Sequence, residues 1–150
     1  MADTLDDGAV PEAEGIAGAI PWHFWAIAAV GLLWNSFGAL DYTMTQLRNP
    51  AWIGQIDGEM LAKIDSAPAW ATSAWALGVW GSFAGAVLLL FRSRHAATAF
   101  AVSFVTALVS FAWQYSAGLV ASPVLPMVIL AAVAFFWWYA GKMRDEGVLT

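Results

Sequence analysis

Asn35 and Asp41 lie inside an apolar stretch from His23 to Leu47, in the run Trp34-Asn35-Ser36-Phe37-Gly38-Ala39-Leu40-Asp41-Tyr42. An amide there can hold a polar solute by hydrogen bonds, and a carboxylate can hold a proton or a cationic group. Placing such an acid at the centre of a bilayer costs about 2.5 to 3.5 kcal/mol on insertion scales, so its presence points to function. Two later apolar stretches carry candidate companions, Ser73 beside Thr72 in the second, and Ser110 and Gln114 in the third. A desolvated carboxyl favours its neutral form, which suits a proton-linked site.

Steps of 100° per residue place these side chains on helix faces. In the first stretch Gly31, Asn35, Gly38, Asp41, Tyr42 and Thr45 share one side, with Leu33, Phe37, Leu40, Met44 and Leu47 largely opposite. In the third, Ser103, Ala107, Ser110, Gln114 and Ala117 form a comparable stripe. At 1.5 Å per residue, Asn35 and Ser110 fall roughly 20 Å from the shared end of their helices, and Asp41 and Gln114 roughly 27 to 28 Å. Thr72 and Ser73 reach nearly the same level if the hydrocarbon core is about 30 Å thick. One polar cluster is therefore expected in one half of a bundle, with Asp41 at its mouth and Trp34 and Trp80 as an apolar floor. The second stretch carries Gly78, Gly81 and Gly85 beside Ala74 and Ser82. With Gly31 and Gly38, these glycines are expected to let helix backbones approach.

Ser103, Ser110, Thr72 and Ser73 can equally serve as interhelical glue, at about 0.6 kcal/mol per hydrogen bond. Asp41 has its own second reading, as a hydrated residue near Arg48, two turns on along roughly the same face.

Composition names the solvent. The chain has 150 residues, 61% of them hydrophobic and 11% charged, where soluble domains carry about a quarter charged. Four stretches meet the length of roughly 20 apolar residues needed to cross a bilayer: Trp22 to Leu47, Ala69 to Phe91, Ala96 to Leu119 and Val124 to Tyr139. The expected fold is an all-α membrane protein, a four-transmembrane-helix bundle at residues 21–150 behind a disordered acidic tail at 1–20. The fourth span, nearly without polar residues, is expected to face lipid or serve packing. With no cysteine there is no disulfide framework and no thiolate nucleophile. Much of the net charge of -5 comes from Asp3, Asp6, Asp7, Glu12 and Glu14, and 6 scattered Lys and Arg make no basic stripe for nucleic acid. His23 and His95 lack a second acid or thiol beside them. No enzyme activity, metal or cofactor is expected. His23 reads as an interfacial anchor.

Arg92, Arg94, Lys142 and Arg144 fall at the end shared by both termini, against Arg48 and Lys63 at the other. Positive residues favour the cytoplasmic side, so both termini are expected there. Trp22, Trp25, Trp137, Trp138 and Tyr139 would line one interface and Trp52, Trp70 and Trp113 the other. The long connection from Arg48 to Pro68 contains Asp57-Gly58-Glu59-Met60-Leu61-Ala62-Lys63-Ile64, an amphipathic turn with Asp57 as N-cap. Met60, Leu61 and Ile64 would lie on the membrane surface or across the bundle mouth, as a packed connector or as a lid.

The run Trp34 to Gln46, followed by Pro68-Ala69-Trp70 and Trp75-Ala76-Leu77-Gly78-Val79-Trp80-Gly81, resembles a family of small four-span proteobacterial inner-membrane proteins. That family is often catalogued as hypothetical or as sugar transporters, and the likeness extends from Trp22 to Arg144. The resemblance implies a multi-pass protein of the bacterial inner membrane. Two functions are consistent with the residues. One is a small solute or proton-linked transporter, probing its solute with Asn35, Asp41, Gln114, Ser110 and Ser73, and working as a homo-oligomer in the lipid bilayer. The other is a non-catalytic accessory subunit of a larger membrane complex.

Overall fold

The computed structural model describes residues 20–150. The acidic tail expected at 1–20 lies almost wholly outside the described residues. Six helices follow in order: α1 Trp22–Gln46, α2 Pro50–Ile53, α3 Gly58–Asp65, α4 Ala69–Leu90, α5 Ala96–Ser116 and α6 Val124–Asp145. Among the described residues there is no strand. α1, α4, α5 and α6 are each long and apolar enough to cross a membrane. They run up and down as a four-helix bundle, so the described ends of the chain share one end with the α4–α5 turn. We call this the terminal end and the opposite one, covered by α2 and α3, the lid end.

Each spanning helix stops in the same way. At the end of α1, Arg48 takes a left-handed φ of 55°, and Asn49 N–H donates to Met44 O while Arg48 N–H donates to Thr45 O. α4 repeats this at Arg92, φ 59°, with Ser93 N–H on Leu88 O. α5 and α6 use Gly118 and Gly147 at the same position. These six-to-one bonds satisfy carbonyls that the helix end leaves without partners. They end α1, α4 and α5 slightly before the expected limits of Leu47, Phe91 and Leu119.

Backbone packing is closest between α4 and α5, followed by α5 with α6 and α1 with α4. Lipid tails are as apolar as leucine, so hydrophobic burial contributes little to helix association; close packing and hydrogen bonds hold the bundle. The glycines of α4 make the approach possible. A Cβ at Gly78 would stand 3.3 Å from Ala107 N, one at Gly81 3.2 Å from Ser103 Cβ, and one at Gly85 3.0 Å from the Phe100 ring. Ser103 Oγ donates across this seam to Gly78 O at 2.5 Å.

The core sits toward the terminal end. Phe100 stacks on Phe136 with ring centres 5.6 Å apart, and Phe24, Leu89 and Met143 are fully buried around them. Of the two roles expected for α6 the structure selects packing, with Val133, Phe136, Tyr139, Ala140 and Met143 buried, and the helix continues past the expected limit of Tyr139 to Asp145. Burial of Met143 and the Lys142–Glu146 ion pair carry the helix through Gly141. Tyr139, expected at the interface, is buried and shares a 2.9 Å hydrogen bond with His23 Nδ1. The chain closes this end itself. Thr150 N–H donates to Arg92 O, Arg94 N–H to Thr150 O, and Arg92 Nε to Val148 O, with Leu149 buried beneath.

Candidate functional site

Toward the lid end the four helices part around a chamber of about 400 Å³. Asn35, Gly38 and Asp41 of α1 face it, with Ser82 of α4, and Ser110 and Gln114 of α5. It continues into a vestibule of about 530 Å³ under α3, and Asp41, Trp75, Ser110, Gln114 and Leu125 border both spaces. These volumes lie in the range of small-molecule sites. Asn35, Asp41, Ser110 and Gln114 thus border one space between α1 and α5.

Each polar side chain has a defined partner. Asn35 Nδ2 donates to Gly31 O at 2.7 Å, one turn back on its own helix. Among the described residues Asn35 Oδ1 accepts no hydrogen bond, and no fully occluded side-chain oxygen or nitrogen lacks a partner, so this oxygen opens on the chamber. Gln114 Nε2 donates to Ser110 Oγ at 2.9 Å. Ser82 Oγ is turned back onto Val79 O at 3.0 Å. Asp41 is exposed at the junction of chamber and vestibule, and Trp52 Nε1 donates to its Oδ1 at 2.8 Å. That bond ties α2 to α1.

Arg48 pairs with Asp65, not with the Asp41 expected from its place along α1. The left-handed turn at Arg48 swings the guanidinium off the α1 face and toward the end of α3. α3 itself opens as its sequence indicates, Asp57 Oδ1 accepting Glu59 N–H at 2.7 Å. Met60 and Ile64 overhang the vestibule, with Leu61 outside its lining. Across the mouth Lys63 Nζ reaches Gly118 O at 3.5 Å and pairs with Glu59 at 3.1 Å.

Two expected members are placed elsewhere. Ser73 is exposed and borders neither space; Thr72, one step of 100° around α4, faces the vestibule in its stead. Trp80 is turned outward against Phe83, so the aromatic wall from α4 is Trp75, packed edge-on against Tyr42 at 4.9 Å. Gly38, expected at a helix contact, has open space where its side chain would be and widens the chamber. Gly31 does serve packing: its Cβ would meet Phe136 Cε1 at 2.8 Å. Sequence reasoning missed Trp75, Val79, Phe111, Leu125, Ile129 and Val133 as lining residues, and Phe37, read as lying opposite the polar side of α1, also borders the chamber. An apolar residue facing a chamber and one facing lipid look alike in sequence.

Comparison with models of known protein families, with curated proteins and with solved structures finds no match to this chain.

Proposed function

We infer that the protein is a small carrier of the bacterial inner membrane, with both termini cytoplasmic, that binds a small solute in the chamber. The observation that supports this is the meeting of Asn35, Asp41, Ser110 and Gln114 around one space that widens toward the lid end while the terminal end is packed shut. A bundle needing only glue would fill that space with side chains. Instead Gly38 leaves it open, and the Asn35 oxygen is left available to a ligand. The distribution of Arg92, Arg94, Lys142 and Arg144 supports the orientation. Movement across the membrane then requires the Phe100–Phe136 half to part as the lid half closes.

Because the chain has no cysteine, single replacements report access directly. Ser110→Cys and Ser103→Cys are near-isosteric changes on one face of α5, at residues 3% and 0% exposed, and only Ser110 borders the chamber. With a membrane-impermeant thiol reagent on oriented vesicles, Ser110→Cys should react from both faces and Ser103→Cys from neither. Reaction of Ser110→Cys from the lid face alone would overturn the carrier reading. Equal resistance of the two would overturn the solute chamber itself.

A further inference from the structure

The chamber has helix packed against helix on three of its sides. The pairs α1–α4, α4–α5 and α5–α6 are backbone neighbours, whereas α1 and α6 meet through side chains at Gly31–Phe136 and His23–Tyr139. Both of those contacts lie toward the terminal end. Beyond them, Trp34 and Phe37 of α1 and Leu125 of α6 border the chamber while being 45%, 67% and 64% exposed. A side chain that lines a cavity and is also largely exposed stands at the rim of an opening. Since α1 and α6 both span the membrane, this opening faces the bilayer.

Charge adds a second constraint. Asp41 is the one charged side chain among the described residues bordering the inner chamber. In the vestibule Arg48 and Asp65 are paired with each other, and among the described residues Asp41 makes no ion pair and accepts only from the Trp52 N–H. Trp75 borders the same two spaces as Asp41, and Trp34 lines the chamber two turns further down α1. A carboxylate beside aromatic faces attracts an ammonium group through charge-assisted bonds and cation–π contact.

We propose that the chamber takes lipophilic amines, with the ammonium head at Asp41 and the apolar tail lying in the chamber toward Val133 and out through the α1–α6 opening. This rests on the chamber being a solute site and names the class of solute. Zwitterionic lipids also carry an ammonium, but their phosphate would bring a second negative charge to Asp41, so a free amine fits better.

Three probes with one tail separate the contributions: octylammonium, octyl glucoside and octyl sulfate, each read by tryptophan fluorescence on the full chain in phosphatidylglycerol nanodiscs, with empty discs subtracted. The cation should bind at least about tenfold more tightly than the other two, as expected for one hydrogen bond or contact to a charged group. Asp41→Asn should abolish that preference, and methylammonium should bind at least about tenfold more weakly than its octyl counterpart. Gly38→Phe, whose Cβ would have no atom within 4 Å, should block all three probes, with circular dichroism and thermal unfolding reading whether the helices are retained. Equal binding of the three heads, or a preference retained in Asp41→Asn, would overturn the amine site. Methylammonium binding as well as the octyl cation would overturn the tail path. Displacement of the cation by dioctanoyl phosphatidylethanolamine would overturn the free amine in favour of lipid. Failed head selectivity with two-sided labelling of Ser110→Cys leaves a carrier of another solute; selective binding with one-sided labelling leaves an amine-binding protein that does not transport.

Discussion

In the terminal half, Phe100 lies between the backbone at Gly85 and the ring of Phe136 with no exposed surface, and the chain's last residues seal the space below. In the lid half, the space between the same four helices holds Asn35, Ser110 and Gln114 around a chamber of about 400 Å³, under a short amphipathic helix. Both halves are built from small and aromatic residues on the same helices. They differ in where the glycines face. Gly31, Gly78, Gly81 and Gly85 are each opposed by a neighbouring helix, while Gly38 faces empty space. In lipid, where apolar burial does not distinguish inside from outside, that difference decides which half is rigid.

The largest effect should come from emptying the rigid half. Phe100→Ala is expected to cost on the order of 3 kcal/mol in reversible unfolding from mixed micelles, because the stacked site between Gly85 and Phe136 cannot collapse. Phe111→Ala, at the chamber wall, should cost clearly less, since it only enlarges a space already present. Equal losses would erase the distinction between the halves.

A smaller contrast lies within one helix. Gly31→Ala should destabilise by about 1 to 3 kcal/mol, because its methyl would meet Phe136, which is itself held by Phe100. Gly38→Ala meets nothing and should stabilise by up to about 1 kcal/mol through helix propensity. Thermal unfolding of the two variants side by side gives the sign of each. A loss at Gly38 matching that at Gly31 would mean the chamber is filled by packing.

Smallest is the contrast between two serines of α5. Ser103→Ala removes the hydrogen bond to Gly78 O and should cost about 0.6 kcal/mol, up to about 1.7. Ser110→Ala removes only a bond to Gln114 on its own helix, at a chamber that can supply another partner, and should be close to neutral in stability. Its effect belongs in ligand binding.

The polar stripe of α1 was legible because Asn35 and Asp41 stand out against an apolar run, and Asn35 and Ser110, matched by counting residues along α1 and α5, do border one space. Asp57 as the cap of α3 was legible for a local reason, a side chain bonding the backbone two residues on. The ends of α1 and α4 were legible to within a residue, but the left-handed turns at Arg48 and Arg92 that make them were not, because a left-handed arginine carries no mark that glycine would. Ser73 was misplaced since neighbouring polar residues on a helix point 100° apart, and only the packing of α4 selected Thr72 for the vestibule. The weight of α6 in the core was hidden for a related reason: its aromatic residues pattern the same way whether they meet lipid or Phe100.

By itself the sequence determined the four apolar spans, the polar faces of α1 and α5 and the amphipathic connector, since length, hydropathy and helical period act within one segment. Tertiary structure alone decided that Gly31 closes the bundle while Gly38 opens it, and that Arg48 answers Asp65 and not Asp41. Those outcomes depend on what stands opposite each residue. In a membrane, where apolar neighbours and apolar solvent are nearly equivalent, no single segment carries that information.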